Sequence, residues 1–131
     1  MSLYTRSSRS KPQRSGFELT VWYLMRLSGL ALFVLALAHF SILHFLFDPS
    51  EQDATFIATQ RWNSIFWRAF DWLLLMTVLF HSFMGVRTVV GDYVKGGSRT
   101  AVMMGLYVLA AVLFVIGTIV VMTMPLAGTA G

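Results

Sequence analysis

The uncharged run from Leu27 to Phe47 is the feature of this sequence that most limits what the chain can fold into. Arg26 precedes this run and Asp48 follows it, and no aspartate, glutamate, lysine or arginine lies between them. A helix rises 1.5 Å per residue, so about 20 apolar residues cross a hydrocarbon core of ~30 Å. The run therefore predicts a transmembrane helix over about residues 19–47.

Two further apolar segments follow the first. The second covers about residues 65–90 and carries Arg68 and Asp71 near one end and Arg87 near the other, so these charges must snorkel or be paired. The third, about residues 101–126, has no formal charge. These patterns predict an all-α membrane protein with three transmembrane helices.

The composition excludes several classes of function. The 131 residues are 56% hydrophobic and 12% charged, which is too apolar for an ordinary soluble domain of this length. The sequence contains no cysteine, so disulfides, thiolate metal sites, iron–sulfur ligation and cysteine nucleophiles are excluded within this chain. Any redox chemistry must therefore use groups that the chain binds.

The basic residues behind the net charge of +4 lie beside the apolar runs, where they indicate the orientation of the chain in the membrane. We therefore do not expect nucleic-acid binding. Bases fill the acid-free arm 1–16 and the connector GDYVKGGSR, whereas the connector DPSEQDAT is acidic. The positive-inside rule then puts the arm in the cytoplasm and the C-terminus outside. The first apolar run is longer than a signal-peptide core, so residues 17–131 are expected to form one retained three-helix anchor domain.

His81 is the polar residue nearest the centre of the second segment. An intramembrane histidine costs free energy unless it is paired, binds metal or faces water, so it indicates a functional site. Gly85, Thr88 and Asp92 fall within roughly 40° of His81 on a helical wheel, and a small residue one turn away lets a flat haem macrocycle approach. The alternatives are a histidine hydrogen-bonded to a neighbouring helix and a glycine that packs helices closely.

Other polar residues sit where the segments meet the cytoplasmic side. Arg26 and Arg87 are either interfacial arginines or partners for haem propionates, since guanidinium groups match carboxylates. Asp92 and Tyr93 either end the second helix or form a site in which the phenol donates to a bound carbonyl and the carboxylate relays protons.

His39 and His44 lie toward the outer end of the first segment. Five residues of separation put them about 140° apart on a helix, so they do not form one metal site. His39 shares a face with Ser28 and can point into the bundle, whereas His44 is better interpreted as an interfacial packing residue.

Three stretches of the sequence resemble a known family. HSFMGVRTVVGDYV closely resembles the histidine-to-Asp-Tyr segment of the smaller membrane-anchor subunit, the SdhD type, of succinate dehydrogenase (respiratory complex II). WYLMRLSGLALFVLALAH resembles the first helix of such anchors, particularly the actinobacterial type, and RWNSIFWRAFDWLLL resembles the run into their second helix. The likeness extends over roughly Phe17 to Val121.

The resemblance implies an assembly and a set of bound groups. The three helices would form half of a helical bundle with a second anchor subunit, beside a flavoprotein subunit carrying FAD and an iron–sulfur subunit. His81 would supply one axial ligand to the iron of a haem b, Gly85 would pack against the macrocycle, and Arg26 would help to hold a propionate, with Arg87 as a second candidate. Tyr93 would hydrogen-bond a quinone, ubiquinone or menaquinone, beside Asp92.

The function expected from this resemblance is that of a non-dehydrogenating subunit of succinate:quinone oxidoreductase in a bacterial plasma membrane. Fumarate reduction by reverse flow, a haem-free structural adaptor and a free-standing three-helix b-type cytochrome are the alternatives. His39 and His44 exceed the single haem ligand that the family implies, and leave a second haem or an outer quinone site open.

Overall fold

The computed structural model of the chain describes residues 16–124, so the basic arm 1–15 and residues 125–131 lie outside the described part. Within it, every regular element is helical, and three helices are long and apolar enough to cross a membrane. The predicted all-α membrane fold is therefore confirmed. The elements are α1 Phe17–Ser41, a π-helical turn Ile42–Leu46, a 3-10 turn Pro49–Glu51, α2 Ala54–Phe56, a π-helical turn Ile57–Arg61, α3 Ile65–Tyr93 and α4 Gly97–Thr123.

The ends of the long helices extend past the apolar runs that predict them. The first span continues through the π-helical turn to Leu46, and α3 continues to Tyr93. Helix α4 begins at Gly97, four residues before the apolar run, because a helix can continue into the interface where polar residues meet water. Gly96 makes the sharp turn between α3 and α4 with a φ of 69°, a conformation that favours glycine.

Helix α3 lies between α1 and α4 and packs against both. The two packed pairs run antiparallel, as short polar connectors between successive spans require. On the α4 side, the Trp72 indole N–H donates to the Thr118 hydroxyl at 3.1 Å, and a Cβ built on Gly117 would lie 2.6 Å from Leu75 Cδ2. Gly117 thus brings the backbone of α4 close to α3.

The three helices bury little of their own apolar surface. Among the described residues, only Val21 and Val121 are buried hydrophobic side chains. Large side chains such as Leu27, Leu30 and Phe33 are 62%, 66% and 68% exposed. An exposed apolar surface of this extent is stable only against lipid or another protein.

The outer connector is ordered by short caps. The Asp48 carboxylate accepts a hydrogen bond from the Ser50 backbone N–H at 2.9 Å, and that of Asp53 accepts one from the Phe56 N–H at 2.8 Å. The backbone N–H of Ser50, with its hydroxyl, lowers the pKa of the Asp48 carboxyl below its ordinary value, because both stabilise the charged form. These caps explain why the connector folds into short helical turns.

Candidate functional site

His81 and Ser28 meet between α1 and α3, deep in the membrane-spanning part of the chain. The Ser28 hydroxyl oxygen lies 2.9 Å from His81 Nδ1, and Ser28 is only 8% exposed. Within residues 16–124 this is the only hydrogen bond that the His81 side chain makes. The other ring nitrogen, Nε2, is therefore left without a partner from this part of the chain.

A glycine on α1 makes room for the His81 ring. A Cβ built on Gly29 would lie 3.3 Å from His81 Cε1 and 3.9 Å from Nδ1. Gly85, the glycine singled out from the sequence, has more space, since its Cβ would meet only the Met25 methyl at 3.9 Å. The close approach of α1 to the histidine thus depends on Gly29, and Gly85 leaves an uncrowded surface one turn away.

Arg26 and Arg87, which the sequence predicts to lie near the cytoplasmic side, have different partners. The Arg26 guanidinium lies 3.5 Å from the centroid of the Trp22 ring, and its Nη1 donates to the Trp22 carbonyl at 3.1 Å. Arg87 reaches from α3 to α1, where its Nη2 donates to Glu18 Oε1 at 2.6 Å. The Glu18 side chain is 61% exposed and that of Arg87 21%, so this ion pair is open to solvent or to a ligand.

Asp92 and Tyr93 lie on the last turn of α3. Both are exposed, Tyr93 to 82%, and neither makes a side-chain hydrogen bond to another residue in the described range 16–124. The phenol is thus a free donor and the carboxylate a free acceptor. Both groups belong to the same end of the helix pair as Arg26, Arg87 and Glu18.

A second polar cluster, which we call the outer cluster, consists of Asp71, Arg61, Trp62 and His39. Arg61 forms a two-pronged ion pair with Asp71, from Nε to Oδ2 at 2.9 Å and from Nη2 to Oδ1 at 2.5 Å. The Trp62 indole N–H donates to Asp71 Oδ2 at 2.9 Å, and His39 Nε2 lies 3.8 Å from Oδ1. Asp71, on α3, therefore has partners from α1 and from the connector.

Arg68 satisfies the end of another helix. Its guanidinium donates to the Val121 and Met124 carbonyls at 2.8 Å each and to the Met122 carbonyl at 3.2 Å, and its Nε donates to the Trp62 carbonyl at 2.7 Å. The last carbonyls of a helix lack intrahelical donors and carry the negative end of its dipole. Arg68 therefore caps α4 and ties it to α3.

His39, on α1, and His44, in the π-helical turn that follows it, do not join the His81 site. His39 faces α3, as its shared face with Ser28 predicts, but it approaches Asp71. His44 stacks on Phe40, with ring centroids 4.7 Å apart, in agreement with a packing role. Across the described residues there is no group of three metal-ligating side chains, so any metal centre there would need ligands from outside residues 16–124.

Three residues that matter here were not singled out from the sequence. The sequence marks Ser28 only by the helix face that it shares with His39, and Gly29 carries no signal of its own, although RLSG places both near Arg26. Arg61 follows the acidic connector in the sequence, yet it is 3% exposed. Only the need of Asp71 for a counter-charge indicates from the sequence that Arg61 is buried.

The fold and the site define the class of protein: a multi-pass helical membrane protein with an intramembrane histidine, His81, between two helices and an exposed polar end. The family model that describes the transmembrane subunit of succinate dehydrogenase and fumarate reductase matches residues 2–121. The chain belongs to this family and is thus a membrane subunit of a multi-subunit complex of that kind. The curated proteins searched contain no match to it.

Proposed function

We propose that this chain is one of two membrane anchors of a succinate:quinone oxidoreductase in a bacterial plasma membrane. In this role it docks a flavoprotein subunit and an iron–sulfur subunit at its cytoplasmic side and takes part in binding haem b and quinone. Membership of the anchor family supports the assembly. The basic arm and the basic connector support a cytoplasmic N-terminus and an outer C-terminus.

The observation that carries the haem proposal is the His81 ring, held at mid-membrane through Nδ1 with Nε2 free of partners in residues 16–124. One ligand from this chain and one from the second anchor would complete the axial pair. Gly85 leaves space for a flat group one turn from the ligand. Haem b, when bound, supplies a one-electron carrier within the membrane.

Arg26 and Arg87 are proposed to hold the haem propionates. Both guanidinium groups lie on the side of His81 that is predicted to face the cytoplasm, and there they could pair with the carboxylates of a bound haem. Arg87 already pairs with a carboxylate, Glu18, and a propionate offers the same acceptor chemistry. Arg26 hydrogen-bonds its own helix and lies over Trp22, which keeps its guanidinium near the interface.

The quinone is proposed to bind beside Tyr93 and Asp92. The exposed phenol donates a hydrogen bond to a quinone carbonyl, which orients the ring and stabilises charge as electrons arrive from the iron–sulfur subunit. The Asp92 carboxylate, one residue away, passes protons from the cytoplasmic side to the reduced oxygens. The product leaves as a quinol into the lipid.

The test is purification of the complex in mild detergent through a tag on this chain, followed by a reduced-minus-oxidised spectrum and identification of the co-purifying subunits. We expect a b-type spectrum together with a flavoprotein, an iron–sulfur protein and a second small anchor. His81→Ala should remove the haem bands while succinate oxidation with a soluble dye continues, because the flavin site lies in another subunit. An unchanged haem spectrum would refute the ligand assignment.

Two other functions share these residues. An anchor of a fumarate reductase fits the same family description, and the direction of catalysis with native quinone distinguishes it. A haem-free adaptor is favoured by the Ser28–His81 hydrogen bond itself, since it satisfies Nδ1 by packing alone. A colourless complex with unaltered quinone reduction in Tyr93→Phe would favour the adaptor.

A further inference from the structure

The hydrogen bond between Ser28 and His81 joins two helices at a buried point. Ser28 is one of two buried polar residues among those described, and its hydroxyl oxygen is shared between two groups. It lies 2.9 Å from His81 Nδ1 and 3.2 Å from the carbonyl oxygen of Met25, one turn earlier on α1. The single hydroxyl hydrogen of Ser28 can serve only one of these two contacts.

The Met25 carbonyl decides where the protons lie. A carbonyl can only accept, and a serine hydroxyl has one hydrogen to give. If that hydrogen goes to the Met25 carbonyl, His81 Nδ1 must carry its own hydrogen and donate it to Ser28 Oγ. If the hydroxyl donates to Nδ1, the contact with Met25 has no proton. Only the first arrangement forms both hydrogen bonds.

This arrangement fixes the tautomer of His81. With the hydrogen on Nδ1, the lone pair of the neutral ring is on Nε2, which is the form that binds a metal. Gly29, next to Ser28, lets the ring lie against α1, since a Cβ there would approach Cε1 to 3.3 Å. Helix α1 thus accepts the Nδ1 proton and leaves room for the imidazole.

We propose that Ser28 is a positioning residue for the haem site: it accepts the Nδ1–H of His81 and thereby holds Nε2 toward the iron and raises the basicity of the ligand. This inference rests on the haem-binding function proposed above. A hydrogen-bond acceptor behind a ligating imidazole orients the ring and makes its free nitrogen a stronger electron donor, which stabilises ferric iron. The structure assigns that acceptor to this chain rather than to a partner subunit.

The test compares three serine variants in the tagged, purified complex: Ser28→Ala, Ser28→Thr and Ser82→Ala. Ser82 lies on α3 beside His81, and its hydroxyl donates within its own helix to the Val78 carbonyl at 2.7 Å, with the Leu79 carbonyl farther away at 3.3 Å, so it is the matched control. Haem content, subunit composition and the haem midpoint potential in a spectroelectrochemical titration are measured for each.

Ser28→Ala should raise the haem midpoint potential, because the imidazole becomes a weaker donor and the ferric state loses stability. If losing the Ser28 acceptor lowers the preference of the site for ferric over ferrous haem about tenfold, the midpoint potential rises by ~59 mV for a one-electron couple. Ser28→Thr, which keeps the hydroxyl, should stay near the wild-type potential, and so should Ser82→Ala.

An unchanged midpoint in Ser28→Ala, or an equal shift in Ser28→Thr, would overturn the inference. If Ser28→Ala does not assemble, Ser28→Cys keeps the volume with a much weaker acceptor and should show the same upward shift. A wild-type complex without haem, or a His81→Ala complex that keeps it, would overturn the proposed function as well. The two failures are therefore distinguishable.

Discussion

The two ends of the α1–α3 pair contain similar residue types but differ in how far their polar groups are satisfied. At the end predicted to face outside, Asp71 receives hydrogen bonds from Arg61 and Trp62, and Arg61, which is 3% exposed, has only its Nη1 without a partner in residues 16–124. At the end predicted to face the cytoplasm, Tyr93 and Asp92 make no side-chain hydrogen bonds within the same residues.

This difference separates the polar groups that satisfy one another within the fold from those that we propose to bind a ligand. A buried charge is tolerated only when other groups satisfy it, so the outer cluster is what a membrane helix pair needs to hold Asp71. Free donors and acceptors at the end of a helix are what a ligand needs. The same helix, α3, thus holds a satisfied polar cluster near its start, and its end is the part that we propose to bind a ligand.

The largest expected effect is at the outer cluster. Asp71→Asn keeps the size of the side chain but leaves the Arg61 charge buried without a counter-charge, which costs about 3–5 kcal/mol. The thermal unfolding midpoint of the purified complex and its yield should both fall. The double variant Asp71→Asn with Arg61→Gln should recover part of the loss, since no charge is then stranded.

Asp92→Asn, on the same helix at the other end, is the control for this substitution. Its carboxylate is exposed, so stability should change little while quinone reduction slows. If Asp71→Asn were as stable as Asp92→Asn, the proposed division between the two ends would be wrong.

The next largest effect is expected at Gly117, which lies on α4 and faces α3, in comparison with Gly105 on the same helix. An alanine at Gly117 would bring a methyl carbon within 2.6 Å of Leu75, so the side chain must move and the helices must separate slightly. Overpacking of this kind costs about 1–3 kcal/mol, seen as a lower unfolding midpoint. Gly105→Ala on the same helix meets nothing within 4 Å and should be neutral. Equal effects of the two substitutions would contradict the close packing.

The three apolar runs predict the three long helices because length and the absence of charge suffice to define a span. The partners of the intramembrane charges are harder to predict. Arg61 lies ten residues before Asp71 in a connector, and only the folded turns of that connector bring it back. The contact of Ser28 with His81 depends on the register between α1 and α3, which periodicity within one helix does not determine.

The site shows the same limit. The wheel around His81 predicts a face with Gly85, yet the glycine that contacts the ring comes from α1. The sequence indicates that Arg87 needs a partner for its charge. It does not indicate that the partner is Glu18, which lies before the uncharged apolar run of the first span. The roles of Tyr93 and Asp92 depend on a ligand and on other subunits, so they remain predictions.

A smaller effect is expected at the free phenol. Tyr93→Phe removes one hydrogen-bond donor and leaves the helix unchanged, so stability should be that of the wild type. Quinone reduction should weaken by about 0.5–1.5 kcal/mol, or more if a buried acceptor is left unpaired. The measurement is kcat/KM for quinone at fixed succinate, with the soluble-dye activity as the internal control. An unchanged kcat/KM for quinone in Tyr93→Phe would exclude a quinone site at this phenol.

The smallest effect is expected at the Glu18–Arg87 ion pair. Like Asp71–Arg61 it joins an arginine to a carboxylate, but the Glu18 side chain is 61% exposed, and exposed pairs contribute only about 0–1 kcal/mol. Glu18→Gln should therefore leave the unfolding midpoint almost unchanged, with any difference disappearing at high salt. Arg87→Gln should be equally stable but should reduce haem retention if the guanidinium holds a propionate. If Glu18→Gln destabilised the complex as strongly as Asp71→Asn, burial would not be what separates the two ends. If Arg87→Gln retained haem fully, the arginine would serve only the ion pair.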